Sequence, residues 1–435
     1  MGRLPRPCSK PTHARGANAG RSLATDPFVD SEGGWGLILV PVKTNRRRFI
    51  TATAASAGGL FLNPLASRAA GDAPRKRYRA AVIGRTGGGD YGHGYDRIFA
   101  GLDNVTVEAI ADADAAGLQK AAERSGAKRQ YRDYREMLKK EKPDLVSIAP
   151  RQPNCHKDMA LAAIEVCQGI FMEKPFTETV ADADAILTAA EKRGVKIQVA
   201  HNRRYTSGFM QIKPLLAQGL TGAVREVRIQ GKQDSRAGGE DMIVLGTHDF
   251  DLMRYYFGDP LWCFANVTVQ GHDVTRQDAR RGSEPILVAG DTIRATFGFP
   301  NNLAVHWSSV KTRDRWNTSF AKRDKWAFEI LGTQGIIAYQ SGLEFAWLDS
   351  PFLAQKDETV KWKDLPAPVD WNPPDHTRHP IKSLIHALET KTQPVCSGYD
   401  GRWAVEMVAA VYQSHLRQAR VSFPLADRQN PLASG

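Results

Sequence analysis

One glycine-rich segment between two apolar runs constrains the fold of this chain most strongly. The first run, residues 80–83, leads into the loop Gly84-Arg85-Thr86-Gly87-Gly88-Gly89-Asp90-Tyr91-Gly92-His93-Gly94. Residues 95–102 have helical character, and a second apolar run, residues 105–110, ends at Asp112. A strand, a glycine loop, a helix and a second strand closed by an acid are the order found in dinucleotide-binding folds.

The glycine loop predicts where a dinucleotide binds. Glycines let the backbone approach a pyrophosphate, the N-terminus of the following helix offers free N–H groups, and the acid accepts ribose hydroxyls. We therefore expect Gly84, Thr86, Gly87, Gly89 and Asp112 to contact the cofactor. The motif is imperfect because a threonine replaces its middle glycine, and a flexible surface loop is the alternative interpretation. The carboxylate of Asp112 would repel a 2′-phosphate, which favours NAD over NADP.

Composition and charge exclude several classes of function. The net charge is +12, but +9 of it lies in residues 1–77, so the remainder is nearly balanced and predicts no nucleic-acid partner. The five cysteines form no C-x-x-C pair and no Cys/His cluster with zinc-ligand spacing. We expect no metal site.

The first 76 residues are predicted to be a leader that is removed from the mature protein. Arg46-Arg47, followed by Phe49-Ile50, resembles a twin-arginine export signal. The weakly apolar run at 50–65 is too short and too polar for a stable membrane span; a basic amphipathic helix is the alternative. Export of a folded protein to the periplasm predicts a tightly held cofactor, because free nicotinamide cofactor should be scarce there.

Alternating helical and apolar segments continue to residue 200. We expect a doubly wound parallel sheet, a Rossmann domain, over residues 77–200. The loop that begins at Pro150 and the triplet Glu173-Lys174-Pro175 each follow a predicted strand. Open α/β sheets bind ligands at the carboxyl ends of their strands, so both segments are candidate site segments.

The ordered set of motifs resembles the Gfo/Idh/MocA family of nicotinamide-dependent oxidoreductases. The match covers roughly residues 77–420 and rests on the glycine loop, Ala111-Asp112, Ala149-Pro150 with His156, Glu173-Lys174-Pro175, Arg204-Tyr205, and the G-x-H-x-x-D pattern at 246–251. The resemblance implies cofactor contacts by Pro150, His156, Glu173 and Lys174. It also implies an α+β second domain over residues 201–425, with a large open, mainly antiparallel sheet. Strand-like runs at 224–231, 262–269, 292–299, 303–309, 326–331 and 335–339, and helices at 381–389 and 403–418, suit that architecture.

Lys174 and His248 are the catalytic residues that the resemblance implies. A partly buried lysine can take or return the proton of a substrate hydroxyl as hydride moves, and a neutral imidazole can accept or relay that proton. Many family members carry an aspartate where Val244 stands here. Asp241 and Glu240, just upstream, are candidates to replace that acid, and a solvated loop charge is the alternative interpretation of either one.

Substrate contacts are predicted for Arg204, Tyr205, Arg236 and Asp241, with Lys232 nearby. Each lies in a predicted loop near the cleft, although any one of them alone is more often a surface residue.

Three functions follow from these features. The leading hypothesis is an NAD-dependent oxidoreductase acting on a sugar or sugar-derivative hydroxyl. The first alternative is a glycosidase that uses retained NAD for transient oxidation and elimination, and the second is a non-catalytic sugar-binding protein. We further expect a homo-oligomer, whose stoichiometry the sequence leaves open.

Overall fold

The structure is a computed structural model that describes residues 76–311, 326–340, 345–350 and 361–433. The predicted export signal around Arg46-Arg47 lies outside the described residues. No helix in the described ranges combines the length and apolar character needed to cross a membrane.

The first sheet confirms the predicted Rossmann architecture. Its six parallel strands run in the order β3-β2-β1-β4-β5-β6. Strands β4 and β5 are buried along their whole length, as expected for a sheet covered on both faces. The strands are β1 (Tyr78–Ile83), β2 (Val105–Ala111), β3 (Arg129–Tyr131), β4 (Leu145–Ile148), β5 (Gly169–Met172) and β6 (Lys196–Val199).

Capping residues fix the helices that connect these strands. Side chains of Asp114, Asp133 and Thr179 accept backbone N–H bonds at three N-termini, which satisfies donors that a helix start leaves unpaired. Gly126 and Gly194 end two of the helices in the left-handed conformation. The helices are α1 (Ala115–Ser125), α2 (Tyr134–Glu141), α3 (His156–Ile164) and α4 (Val180–Arg193).

The helix predicted over residues 95–102 is wrong. Only a single 3-10 turn, Tyr95–Arg97, forms between β1 and β2. Gly92 and Gly94 take φ values of 58° and 84°, so the chain is turning in the left-handed region where a helix would have to begin. No α-helix N-terminus therefore faces the crevice at this point, and a bound phosphate would meet loop backbone instead.

The second half of the chain forms a ten-stranded mixed sheet with its own helices. Neighbouring strands are antiparallel except β7 and β13, which run parallel. Each strand predicted from the sequence is present. The elements are α5 (Ser207–Ala217), β7 (Val224–Gln230), α6 (Gly239–Asp241), a π-helical turn (Met242–Gly246), α7 (Thr247–Phe257), β8 (Trp262–Val269), β9 (His272–Asp273), β12 (Thr292–Phe299), β13 (Leu303–Val310), β14 (Ala327–Gly332), β15 (Ile336–Gln340), β16 (Ala346–Leu348), β17 (Lys363–Asp364), α8 (Pro380–Thr390), α9 (Gly398–Arg417) and β18 (Val421–Ser422), with a separate small hairpin of β10 (Arg280–Arg281) and β11 (Leu287–Val288).

Helices α8 and α9 return to the first sheet. Ile381 and Leu384 of α8 share one buried apolar cluster with Tyr95 and Phe99 from the loop after β1. A Cβ on Gly401 of α9 would lie 2.9 Å from both Phe176 and Val199, so α9 packs closely on the edge of that sheet. The predicted boundary at residue 200 stays a prediction, and contacts from the C-terminal helices cross it.

The outer face of the second sheet remains open. Phe264 and Trp362 are 51% and 49% exposed there, whereas Trp307 on the opposite face is buried against Phe250. The expected homo-oligomer stays a prediction.

Candidate active site

The segments that follow β5 and β6 meet the helical stretch 239–257 at the carboxyl edge of the first sheet, and this place is called the crevice. Lys174, two residues after β5, is 2% exposed, and its Nζ donates to the Val244 carbonyl over 3.1 Å. Val244 lies in the π-helical turn, and such turns occur frequently at functional sites. The structure thus joins the lysine motif of the first half to the histidine segment of the second.

Burial sets the protonation of Lys174. Desolvation lowers the pKa of the Lys174 ammonium, and the carboxylates of Glu173 and Glu284 oppose that shift. A lysine with a lowered pKa has a larger neutral fraction near pH 7, so it can accept a proton. This is the property that the predicted role requires.

His248 lies beside a second histidine, His201, that directly follows β6. Their Nδ1 atoms are 3.5 Å apart and the rings meet edge to face. Desolvation lowers the pKa of both imidazoles, and the nearby Lys174 lowers that of His248 further. His201 Nε2 is buried and has no hydrogen-bond partner among the described residues. The pair is therefore neutral near pH 7 and can relay a proton.

Glu173 links the glycine loop to this crevice. Its Oε2 accepts the backbone N–H of Lys174 at 2.5 Å, and its Oε1 contacts Nδ1 of His93. Glu173 has no exposed surface, while the His93 side chain is 49% exposed. A buried carboxylate thus orients the backbone of Lys174 and holds one end of the loop.

The glycine loop folds as a tight turn over the carboxyl edge of the sheet. Arg85 and Asp90 pair as an antiparallel bridge, and the carbonyl of Gly89 accepts the N–H of Arg151 at 3.1 Å. A Cβ on Gly84 would lie 2.1 Å from the Tyr91 ring, so only glycine fits there. Gly87 is exposed and has open space around its Cα.

Asp112 stands where the sequence places the ribose acceptor, but its carboxylate is already engaged. It accepts the N–H and hydroxyl of Thr86 at 3.0 and 2.7 Å, and the N–H of Asp114 at 3.0 Å. Asp112 is buried, whereas Thr86 is exposed. A ribose would therefore meet the Thr86–Asp112 pair rather than an isolated acid.

The residues present fit a dinucleotide. The sheet order creates a crevice at its switch point, and a glycine-lined turn and an acid lie at the ends of β1 and β2. Buried polar atoms without protein partners remain near the crevice, including His201 Nε2 and Glu284 Oε2. Such atoms favour a polar ligand. Within the described ranges, no three His, Cys, Asp or Glu side chains converge as a metal site requires.

Direct cofactor contact by His156 is contradicted. The side chain has no exposed surface, and its two ring nitrogens lie 2.7 Å from the Pro150 carbonyl and 3.1 Å from the Phe176 carbonyl. Burial lowers its pKa. His156 therefore stabilises the loop after β4 through its contact with the Pro150 carbonyl, and Pro150 is buried as well.

Two of the predicted substrate residues, Arg204 and Tyr205, bind protein groups instead. The Arg204 guanidinium pairs with both carboxylate oxygens of Asp251 at 2.7 and 2.8 Å, and also reaches Asp400 and the Val395 carbonyl. The Tyr205 hydroxyl donates to Gln198 Oε1 at 2.8 Å. Arg204 thus ties the segment after β6 to α7 and α9, and Tyr205 ties the same segment to β6.

Arg236 and Asp241 also have local partners. Arg236 pairs with Asp234 on an exposed loop. Asp241 is buried, and its Oδ2 accepts the Lys232 N–H and the Ser309 hydroxyl, both at 2.8 Å. Burial raises the pKa of Asp241, and its Oδ1 accepts no hydrogen bond within the part of the chain that the structure describes. This aspartate anchors the loop after β7.

Three residues of the crevice were missed by sequence reasoning: His201, Arg203 and Glu284. His201 lies two residues after β6, at the ligand-binding edge of the sheet, so its position alone was a usable signal. Arg203 stacks on Trp326, with its guanidinium carbon 3.2 Å from the ring centroid. Glu284 lies in the loop between β10 and β11, where no motif marks it.

Comparisons with known proteins agree with this geometry. Residues 78–201 match the oxidoreductase family with an NAD-binding Rossmann fold, and residues 209–338 match the GFO/IDH/MocA C-terminal domain. A D-apiose dehydrogenase from Paraburkholderia graminis is 30% identical over 361 residues, which cover 78% of this chain and 88% of that protein.

Two further matches bear on function and fold. A glycosyl hydrolase family 109 protein from Shewanella pealeana is 26% identical over 231 residues, covering 45% of this chain and 50% of that protein. A levoglucosan dehydrogenase solved with NADH and L-sorbose aligns with a TM-score of 0.64 at 19% identity, over 80% of this chain and 100% of that one. The second match concerns the fold alone.

Proposed function

The chain belongs to the Gfo/Idh/MocA family of NAD-dependent oxidoreductases, and from this premise we propose that it oxidises a hydroxyl-bearing carbon of a sugar or sugar derivative. One observation carries the proposal: a buried lysine, Lys174, and a histidine, His248, converge at the carboxyl edge of the NAD-binding sheet. The D-apiose dehydrogenase relative supports a sugar as the substrate class.

The side chains divide the work of proton transfer. Neutral Lys174 takes the proton of the substrate hydroxyl. NAD, when bound, would accept the hydride from the same carbon. The charge of Lys174 acts on His248, and the His248 imidazole contacts that of His201. The imidazole pair can therefore relay the proton. Glu173 keeps the Lys174 backbone in place through its hydrogen bond to the amide. The reverse reaction returns the proton from Lys174.

The alternative is a glycosidase with retained NAD. Oxidation of a ring hydroxyl acidifies the neighbouring C–H, which allows elimination of the aglycone, addition of water and return of the hydride. The glycosyl hydrolase family 109 relative favours this class, and so does Val244, which cannot hold a substrate hydroxyl as an aspartate would.

One incubation separates the two reactions. Purified protein is mixed with a glycoside in D₂O without added cofactor or hydride acceptor, and free sugar, its deuterium content and nicotinamide absorbance are followed. Simple oxidation is expected to stop after one turnover, with reduced cofactor left on the protein. Multiple turnovers with deuterium beside the oxidised carbon would establish the glycosidase instead. Stoichiometric release of free NADH, with a requirement for excess NAD, would contradict a retained cofactor.

We propose in addition that the protein is exported folded, with NAD bound, through the twin-arginine route. The argument is the Arg46-Arg47 motif and the weakly apolar run that follows it. Replacing both arginines with lysine is expected to leave the folded protein in the cytoplasm, as measured by fractionation of the cells. Unchanged export of that variant would refute the route.

A further inference from the structure

Glu284 is a buried acid held above the crevice by the small β10–β11 hairpin. The residue is 5% exposed. The hairpin is tied down on two sides, by the Ser283 N–H bonded to Glu240 at 3.3 Å and by an ion pair between Arg281 and Glu178 at 3.3 Å. Ile286, two residues beyond Glu284, enters the main apolar core. The loop is thus fixed, and so is the side chain that it carries.

One carboxylate oxygen of Glu284 lacks a protein partner. Oε1 lies 3.3 Å from Arg151 Nε, whereas Oε2 is buried and accepts no hydrogen bond from the described residues. A buried unpaired carboxylate oxygen costs free energy unless a ligand or a proton satisfies it. The charges that act on Glu284 come from three segments: Lys174 and Glu173 after β5, Arg151 after β4, and His93 in the glycine loop.

We propose that Glu284 contacts the substrate hydroxyl opposite Lys174 and serves as a second proton-holding group of the active site. This inference rests on the proposed function. It also explains how the site works with Val244, since a carboxylate reaches the crevice from another element. In the oxidative direction the hydroxyl proton passes to Lys174 or to ionised Glu284, and the same group returns it in the reverse direction.

Other nearby acids are less suited to this role. Asp241 and Asp249 also each keep one carboxylate oxygen without a partner among the described residues, but their other oxygen is held within the second half of the chain, by Lys232 and Ser309 for Asp241 and by Trp307 for Asp249. Glu240 bonds to Ser283 and Arg280. Glu284, by contrast, pairs with Arg151 in the loop after β4, and Lys174 is the charged group that affects its pKa most.

The environment of Glu284 suits proton exchange near neutral pH. Burial raises its pKa to about 7, and Lys174, Arg151 and His93 limit that rise while Glu173 adds to it. Ionised Glu284 therefore becomes scarce as the pH falls below 7. If ionised Glu284 accepts the proton, kcat/KM for oxidation should therefore fall as the pH drops below 7.

The test compares Glu284→Gln with the wild type and with Glu178→Gln, which removes a surface anchor of the same hairpin. We expect E284Q to lose about 10²-fold or more in kcat/KM. Its pH profile should lose the change near pH 7 that titration of Glu284 produces and keep the rise that deprotonation of Lys174 produces. Competitive labelling with acetic anhydride, resolved by residue, gives the pKa of Lys174 without any substrate. That pKa should fall below its wild-type value in E284Q, because a facing negative charge is gone, and should not change in E178Q.

Each outcome bears on the proposal. An E284Q enzyme that keeps the change near pH 7 and the wild-type Lys174 pKa would overturn it. Equal losses in E284Q and E178Q would also overturn it, because they would trace the effect to hairpin placement. If the wild type oxidised no sugar, the proposed function would fail, and the labelling result would still decide whether Glu284 acts on Lys174.

Discussion

A Lys174→Met enzyme is expected to lose about 10²–10⁴-fold in kcat while it folds and binds NAD normally, since general acid–base groups contribute this much. Methionine keeps most of the side-chain volume in a site that is 2% exposed. It removes the amine that donates to the Val244 carbonyl. The loss should appear mainly in kcat, because the proton moves in the transition state.

Two further variants separate proton transfer from charge and from general damage. Lys174→Arg keeps a positive charge but cannot act as a base near neutral pH, so it should be as inactive as the methionine variant. Lys157→Met removes an exposed lysine that pairs with Asp182 and should retain wild-type turnover. Calorimetric titration with NAD reports whether each protein still binds its cofactor. A loss below ten-fold in K174M would show that another group transfers the proton.

The burial of Lys174 also determines how the oxidation rate of the wild type depends on pH. The pKa of Lys174 is lowered, so its neutral form is present at a lower pH than for an exposed lysine. Oxidation needs that neutral form, and its rate should therefore rise with pH until Lys174 is deprotonated. An exposed lysine would produce this rise near pH 10, and the rise in the wild type should be displaced from there toward neutrality.

The sequence predicted the sheets better than the glycine segment between β1 and β2. Buried strands such as β4 and β5 carry a continuous apolar signal, and side-chain and glycine caps mark helices such as α4. The prediction of a helix over 95–102 was wrong because Gly92 and Gly94 adopt the left-handed backbone conformation. The apolar residues Tyr95 and Phe99 pack against α8, but the segment that carries them is not an α-helix. Apolar content alone did not distinguish packed turns from a helix.

Site residues were predictable where they follow a strand and unpredictable where a distant loop delivers them. Lys174 lies at the carboxyl end of β5, where the fold concentrates ligand contacts. Glu284 reaches the same crevice from a hairpin more than 100 residues later, and its own sequence neighbours carry no signal. Arg204 shows the opposite error, because a position next to a strand end suggested a ligand contact and the side chain instead pairs with acids from two later helices.

An Arg204→Met variant is expected to lose about 3–5 kcal/mol of unfolding free energy, the typical result of removing one partner from a buried ion pair. Arg204 is 4% exposed and pairs with Asp251, 1% exposed, and with Asp400. Methionine restores much of the volume but leaves the Asp251 carboxylate buried without its cation. The Val395 carbonyl also loses its donor.

The matched control is Arg236→Met, since substrate contacts were predicted for both arginines. Arg236 and Asp234 are 42% and 41% exposed, so their pair should contribute only about 0–1 kcal/mol. Urea titration followed by tryptophan fluorescence measures both variants against the wild type.

A second variant, Arg204→Met with Asp251→Leu, removes both charges and should recover part of the loss, because no unpaired charge remains at that position. If R204M unfolded at the same urea concentration as R236M, Arg204 would not stabilise the join between α7, α9 and the first sheet, and its predicted role in substrate binding would have to be reconsidered.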